Sequence, residues 1–315
     1  MESGQRRSRG VLRLVNSIID LMLLTAVSFL ALYGGYAIWD SHVLTENGSA
    51  KRYEQFKPAA ERESFGELQR ENPEVIGWLE VFGTSIDYPL VQARDDWKYI
   101  STDARGNYSL TGALFMSSVN QKDFSDFNSI IYGHNMTPKV MFGNIKDFKE
   151  KGYFEQHRYG DLYDGVSHYG IEFFAVLSAD AYDGRLYRVV SGGADERKAY
   201  IDYIRSLALH QRELPPEEGE RIILLSTCSN VETNGRELLV GKITRQTFTN
   251  VFAKENEEAD PVTAVTGDTL EWWKRLGATG KVLILIGLIG LICLFWRGAL
   301  LIGKKKAKDQ GHEER

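Results

Sequence analysis

The sequence is poor in cysteine and in proline, with two Cys and seven Pro among 315 residues. Two thiols exclude a disulfide-stapled scaffold and any four-thiolate zinc or iron–sulfur centre. No compact carboxylate loop of the calcium-binding kind is present, and neither is an internal repeat or a low-complexity tract. Basic charge is scarce where a nucleic acid would need it. The net charge is −5, but residues 39–280 carry 38 acidic and 27 basic side chains while both ends of the chain are positive. Phosphate binding needs clustered Lys and Arg, so an acidic middle excludes nucleic acid as a partner. Apolar material is plentiful. At 43% hydrophobic and 26% charged, the chain can fill one or two cores and is too apolar to be disordered.

Two long apolar runs stand at the ends. Leu21 to Trp39 holds nineteen residues without a charge, and Val282 to Ile302 is interrupted only by Arg297. A hydrocarbon core of ~30 Å takes about 20 helical residues, so both read as membrane spans. The first is long for a signal-peptide core and is followed by no clear small-x-small cleavage site, which favours an uncleaved anchor. Arg297 lies near an end, where a long side chain snorkels to the interface. Arg6, Arg7, Arg9 and Arg13 precede the first run, and Lys304, Lys305, Lys306 and Lys308 follow the second. Basic clusters stay cytoplasmic. The expected topology is therefore two-pass in the cell membrane, with both termini inside and the middle outside. The expected organisation is a cytoplasmic N-terminus (1–13), an anchor (14–39), an extracellular stalk with N-terminal helices (40–74), a catalytic β-domain (75–253), a linker (254–280) ending in the interfacial pair Trp272-Trp273, a second span (281–302) and a basic tail (303–315).

Between the runs the pattern is mainly β. Glu61 to Asn72 is rich in helix formers, and Asn72-Pro73 ends that helix because the residue before proline avoids the helical region. Short apolar runs between turn residues then predict strands near Ile76–Phe82, Ser85–Val91, Ala113–Met116, Ser129–Tyr132, Ile171–Leu177, Leu186–Val190, Ile222–Thr227 and Leu238–Thr244, with a tight turn at Gly83-Thr84. About eight short strands at irregular spacing favour a closed barrel or a sandwich over a parallel α/β sheet. Ala194 to Gln211 breaks the β pattern. Tyr200, Ile201, Ile204, Leu207 and Ala208 fall at helical spacing, and Pro215-Pro216 follows. This inserted helix would pack on the barrel wall just ahead of the strand that carries Cys228.

Chemistry concentrates at strand ends. Cys293 sits inside the second apolar run as a filler, which leaves Cys228 as the one thiol of the exported part. It ends the apolar run Ile222-Ile223-Leu224-Leu225-Ser226-Thr227-Cys228. A lone exported thiol is a reactive group or an intermolecular bridge. Of six histidines, His134 follows the apolar strand Ile130-Ile131-Tyr132-Gly133, whereas His42, His157, His168, His210 and His312 lie near the membrane exit, in polar loops, at a helix end or in the tail. Arg236 stands in Asn234-Gly235-Arg236, just after the cysteine strand. Nucleophilic catalysis by cysteine needs the thiolate, which a neighbouring imidazolium favours. A fixed cation or donor must then hold the oxyanion of the tetrahedral intermediate. Cys228, His134 and Arg236 supply these three groups. An arbitrary Cys–His–Arg trio is nevertheless common, and spacing alone does not select this one.

The flanking residues do. Leu225-Ser226-Thr227-Cys228, Tyr132-Gly133-His134-Asn135-Met136 and Asn234-Gly235-Arg236 leading into Glu237–Ile243 resemble the motifs of the sortases, membrane-anchored cysteine transpeptidases of Gram-positive bacterial surfaces. So do Asn72-Pro73-Glu74-Val75-Ile76-Gly77-Trp78, Ile86-Asp87-Tyr88-Pro89-Leu90-Val91-Gln92, and Gly112-Ala113-Leu114-Phe115 with Asn120. The resemblance covers residues ~70–250 in the family's order. Gly-His-Asn-Met, Ile-Asp-Tyr-Pro and the helix before the cysteine strand are similar to class B.

The resemblance implies an eight-stranded β-barrel whose cleft holds all three residues, with the inserted helix beside the substrate groove. It implies cleavage of a sorting motif near the C-terminus of a secreted protein, a thioester on Cys228, and transfer to an amine of a pilin lysine or a peptidoglycan cross-bridge. His134 would be the general acid, Arg236 would hold substrate and oxyanion, and Ser226 and Thr227 would contact the substrate or donate to the oxyanion. No cofactor and no metal is implied. A C-terminal span is more usual in the pilin-polymerising class C enzymes, yet their Asp-Pro lid is missing from residues 40–75. That combination leaves pilus assembly and wall anchoring both open, with the second span favouring the first. Outside the family, a cysteine protease would resolve the same thioester with water, and a membrane scaffold would leave Cys228 unreactive. A thiol oxidoreductase would want a second exported cysteine, and there is none.

Overall fold

The computed structural model describes residues 2–58, 63–136, 139–213, 220–228 and 234–253. The second apolar run, its linker and the basic tail lie outside these residues.

The first element, α1, is a helix of 47 residues over Glu2–Gly48. Its stretch Leu14–Ala37 has a mean hydropathy of 2.0 and is unburied, so one helix among the described residues is long and apolar enough to cross a membrane. The stretch begins at residue 14, as does the expected anchor (14–39), two turns ahead of the uncharged run from Leu21 and past the single charge of Asp20. At its far end the Tyr88 hydroxyl donates to the Gly48 carbonyl at 2.8 Å. A 3-10 turn at Ala50–Phe56 then buries Tyr53 and Phe56, and α2 runs over Glu63–Glu71. Asn72 breaks α2 as expected and is itself buried, donating to the Tyr99 hydroxyl and the Ala104 carbonyl.

Nine strands follow among the described residues: β1 Val75–Val81, β2 Asp87–Val91, β3 Leu114–Met116, β4 Asn128–Tyr132, β5 Tyr159–Tyr163, β6 His168–Asp180, β7 Ala208–Gln211, β8 Arg221–Cys228 and β9 Gly235–Thr244. A short helix, α3 (Lys151–Gln156), precedes β5, and α4 (Ala194–Leu207) separates β6 from β7. The sheet order is β5-β1-β2-β3-β4-β8-β9-β6-β7, and a β5–β6 pairing closes it. Eight strands thus form the ring. β7 lies outside it, on the β6 edge past the point where β5 ends. Most neighbours are antiparallel, but β2–β3 and β4–β8 are parallel.

The closed eight-stranded barrel is as the sequence implied, with one exchange of strands. Leu186–Val190 is buried at both ends yet is no strand. Its backbone partner is a side chain, because Asn128, itself fully buried, accepts from the Val190 amide at 2.8 Å and donates to the Arg188 carbonyl at 2.8 Å. The eighth ring strand is β5, whose sequence Tyr-Gly-Asp-Leu-Tyr offers little apolar signal. Its place is set by ladders to β1 on one side and β6 on the other. The inserted helix stops at Leu207 rather than Gln211. There the backbone turns extended and pairs with β6, gaining ladder hydrogen bonds that a further helical turn would forgo.

Strand alternation divides the core. Ile223 and Leu225 of β8 and Leu239 of β9 join the barrel interior, while Ile222, Leu224, Leu238 and Val240 face outward. The outward set is covered by Tyr200, Ile201 and Ile204 of α4. Both faces of β8 are therefore buried, which is why its sequence is a continuous apolar run rather than an alternating one.

Candidate active site

Three strand ends converge on one rim of the barrel. β4 and β8 run parallel with Tyr132 opposite Ser226, and the Gly133 amide continues the ladder to the Ser226 carbonyl at 3.2 Å. The ends of β4 and β8 thus lie side by side, His134 following the first and Cys228 closing the second. Across the antiparallel β8–β9 pair, Cys228 registers with Arg236. Gly133 has a steric reason to be glycine. A Cβ there would stand 2.4 Å from Leu114 and 2.7 Å from Phe142, so the backbone beneath His134 could not pack as closely.

The rim encloses a cleft of about 270 Å³. His134, Ser226, Thr227 and Arg236 all line it. His134 is half-buried and bonds through Nε2 to the Ile100 carbonyl at 2.9 Å. A carbonyl only accepts, so Nε2 carries the proton and Nδ1 is left for other work. Arg236 is half-buried and donates from Nη1 to the neighbouring Gly235 carbonyl at 3.0 Å. Among the described residues no carboxylate pairs with its guanidinium. Ser226 and Thr227 are both buried. The Ser226 hydroxyl is engaged with the Tyr187 hydroxyl at 2.9 Å, and Thr227 Oγ1 has no hydrogen-bond partner among the described residues. These two form the floor of the cleft.

Aromatic rings make the walls. Tyr132 stacks on Tyr187 at 6.1 Å between centroids and lies 5.4 Å from Phe115. Burial pushes the Tyr132 phenol up to about 12, with the Asp96 charge adding to the effect. Burial likewise raises Tyr187, against the opposing hydrogen bond from Ser226. Both phenols stay protonated at neutral pH and can donate. Asp96 also lines the cleft, anchored by the Ser117 hydroxyl at 3.0 Å and the Ser118 amide at 2.6 Å.

The sequence motifs located the Cys228, His134 and Arg236 positions, and the register gathers them at one rim. Asp96, Trp97, Ile100 and Tyr187 went unnoticed. Asp96, Trp97 and Ile100 come from a segment with no periodicity and Tyr187 from an apolar run read as a strand, and only the closure of the barrel brings them together. Among the described residues no group of three His, Cys, Asp or Glu side chains is arranged to hold a metal ion.

No protein-family model matches the chain. The chain is similar to the sortase B from the Type II pilus of Streptococcus pneumoniae, at 44% identity and a TM-score of 0.51, over 58% of this chain and 99% of that one. A Streptococcus pyogenes class B sortase involved in pilus biogenesis is 33% identical with a TM-score of 0.52, over 57% of this chain and 97% of that one. A curated relative, sortase B of Listeria monocytogenes, is 28% identical over 184 residues, which is 58% of this chain and 74% of the relative.

Proposed function

Because the chain belongs to the sortases, and within them to class B, we propose that this cysteine transpeptidase cuts a C-terminal sorting motif of secreted proteins and joins the acyl part to an amine, polymerising pilin subunits. The observation that carries the reading is the strand register that sets the ends of β4 and β8 and the start of β9 around one cleft.

In this reading the Cys228 thiolate attacks the scissile carbonyl carbon and the electron pair moves onto its oxygen. Arg236, unpaired with any carboxylate among the described residues, faces that oxyanion. The tetrahedral adduct collapses as the C–N bond breaks. The leaving amine takes a proton from the His134 imidazolium, whose Nε2–H is held by Ile100. A thioester remains. An incoming amine attacks it and yields its proton to the now neutral imidazole, and the thiolate leaves as the new amide forms. Ser226 and Thr227 shape the floor beneath the acyl group. Residues 75–253 form the catalytic unit and 40–74 the stalk with its N-terminal helices. The N-terminal helix anchors the enzyme with Arg6, Arg7, Arg9 and Arg13 on the cytoplasmic side and the barrel outside, and 281–302 forms a second span with the tail 303–315 inside. Tethering beside the membrane raises the effective concentration of emerging substrates. Pilus assembly is favoured over wall anchoring by the pilus association of both streptococcal relatives.

The test is mass spectrometry of the full chain in detergent, incubated with candidate sorting peptides. Wild type is expected to gain the mass of the acyl fragment on Cys228, and Cys228→Ala to gain none. Added amine should convert the adduct to an amide product. Release only as the free acid would make the enzyme a protease.

A further inference from the structure

The cleft holds one feature that attack by a thiolate does not use. Asp96 is its only lining carboxylate among the described residues, and it sits beside Trp97, which lines the same cleft with 78% of its surface exposed. The two side chains differ in how they are held. Asp96 is fixed by the Ser117 hydroxyl and the Ser118 amide. The Trp97 backbone is fixed by Asp95, whose Oδ1 accepts from the amides of Trp97 at 2.9 Å and Lys98 at 3.1 Å. The indole is thus presented to solvent from a braced turn. A large ring left this open at the mouth of the cleft is free to meet a ligand there.

We infer that Asp96 and Trp97 receive the acceptor amine, and that they are built for a lysine side chain rather than an α-amine. This assignment rests on the transpeptidase reading above and adds to it the residues that would hold its second substrate. An alkyl amine reaches the enzyme as ammonium, and an anionic group in the cleft can bind and position that cation before the neutral His134 imidazole takes its proton. Within the cleft the other charged or titratable groups are Arg236, His134 and the phenols of Tyr132 and Tyr187, which burial keeps protonated, so none of them offers a negative charge. Asp96 supplies the charge. The indole face then suits both parts of a lysine: the four-carbon stem packs against it, and the ammonium is attracted by the ring. A glycine α-amine would use the carboxylate but has no stem to lay on the ring. The pair therefore discriminates between the two acceptor chemistries.

The experiment measures transfer by the full chain in detergent, with a saturating sorting peptide. The acceptors are an Nα-acetylated lysine peptide and, separately, triglycine. Adduct formation on Cys228 is timed in parallel. Asp96→Asn keeps the shape and the capacity to accept from Ser118. It is expected to raise KM for both acceptors by roughly tenfold. Trp97→Ala is expected to raise KM for the lysine peptide by roughly fivefold and to move triglycine by less than about twofold. Equal effects of Trp97→Ala on the two amines would overturn the lysine assignment. Variants that slow adduct formation while leaving both acceptor KM values at wild type would place the pair in the sorting-peptide subsite and overturn it entirely. Failure of wild type to form any adduct would sink the transpeptidase mechanism itself, a result distinct from either of these.

Discussion

The two ends of the β1–β2 pair are built on opposite plans. At the end where Val75 faces Val91, the barrel opens into the cleft, with a guanidinium that has no carboxylate partner among the described residues and a hydroxyl on the floor that has no partner among them either. At the other end, where Glu80 faces Asp87, polar groups are knitted together. Lys57 bridges Glu80 and Asp87 at 2.7 Å each, Trp78 donates to Asp87 at 2.6 Å, and Asn250 donates to Glu80 at 2.8 Å. Nearby, His168 meets Asp161 at 2.6 Å, and burial raises the Asp161 carboxyl in spite of that bond. The knitted end ties the segments that enter and leave the barrel to the sheet. The open end keeps polar groups unsatisfied, which costs stability and leaves them ready for a substrate.

Three substitutions can break or sharpen this contrast. The largest effect is expected for Arg236→Lys, which keeps the charge but loses the planar fork. Transfer should fall by about 10²- to 10³-fold while the thermal midpoint stays where it is. Wild-type turnover would remove Arg236 from the machinery.

A smaller loss is expected for Gly112→Ala. Gly112 has a φ of +60°, and a Cβ there would stand 2.4 Å from the Tyr99 carbonyl and 2.7 Å from the Ile100 carbonyl. The Ile100 carbonyl is the one that holds His134. Displacing it should cost about 10- to 100-fold in transfer, with a shift of the Nε2–H signal in the ¹⁵N spectrum of His134. A slowed rate with that signal unmoved would mean that Gly112 does not act through the bond from His134 to Ile100.

The smallest effect belongs to the knitted end. Lys57→Met leaves two carboxylates without their ammonium, but 35% of the Lys57 side chain is exposed, so solvent screening limits the cost to roughly 1–2 kcal/mol. A fall of about 3–6 °C in thermal midpoint should leave transfer unaffected. Burial alone would pull the Lys57 ammonium down, yet Asp87 and Glu80 outweigh it and its pKa is raised. The stabilisation is then fully present below the unfolded lysine value and is lost as pH rises through the higher folded one. The gap between wild type and Lys57→Met should hold steady from neutral pH and close only in strong alkali.

Much of this architecture was legible because it is written in short-range signals. Seven ring strands announced themselves as apolar runs between turns, and the motif residues around His134 and Cys228 pointed to one rim. What stayed hidden depended on partners far along the chain. β5 is a strand because β1 and β6 flank it, not because Tyr-Gly-Asp-Leu-Tyr prefers to be one. Leu186–Val190 looks like a strand, but Asn128, about sixty residues earlier, satisfies its backbone instead of a ladder. Asp96 and Trp97 carry no periodicity at all, and they became interesting only when the barrel set them beside His134.

The junction at Gly48 has a further consequence. Because Tyr88 clasps the last carbonyl of α1, the barrel stands on its helix as on a post and does not swing from a leash. The eleven residues beyond Ala37 lift it ~16 Å above the apolar stretch. A partner tethered in the same bilayer must cover that height with its own polypeptide, about five extended residues. In the membrane-anchored reading proposed above, the post would act as a ruler, admitting client proteins by the length of the spacer between their own anchor and the bond to be cut.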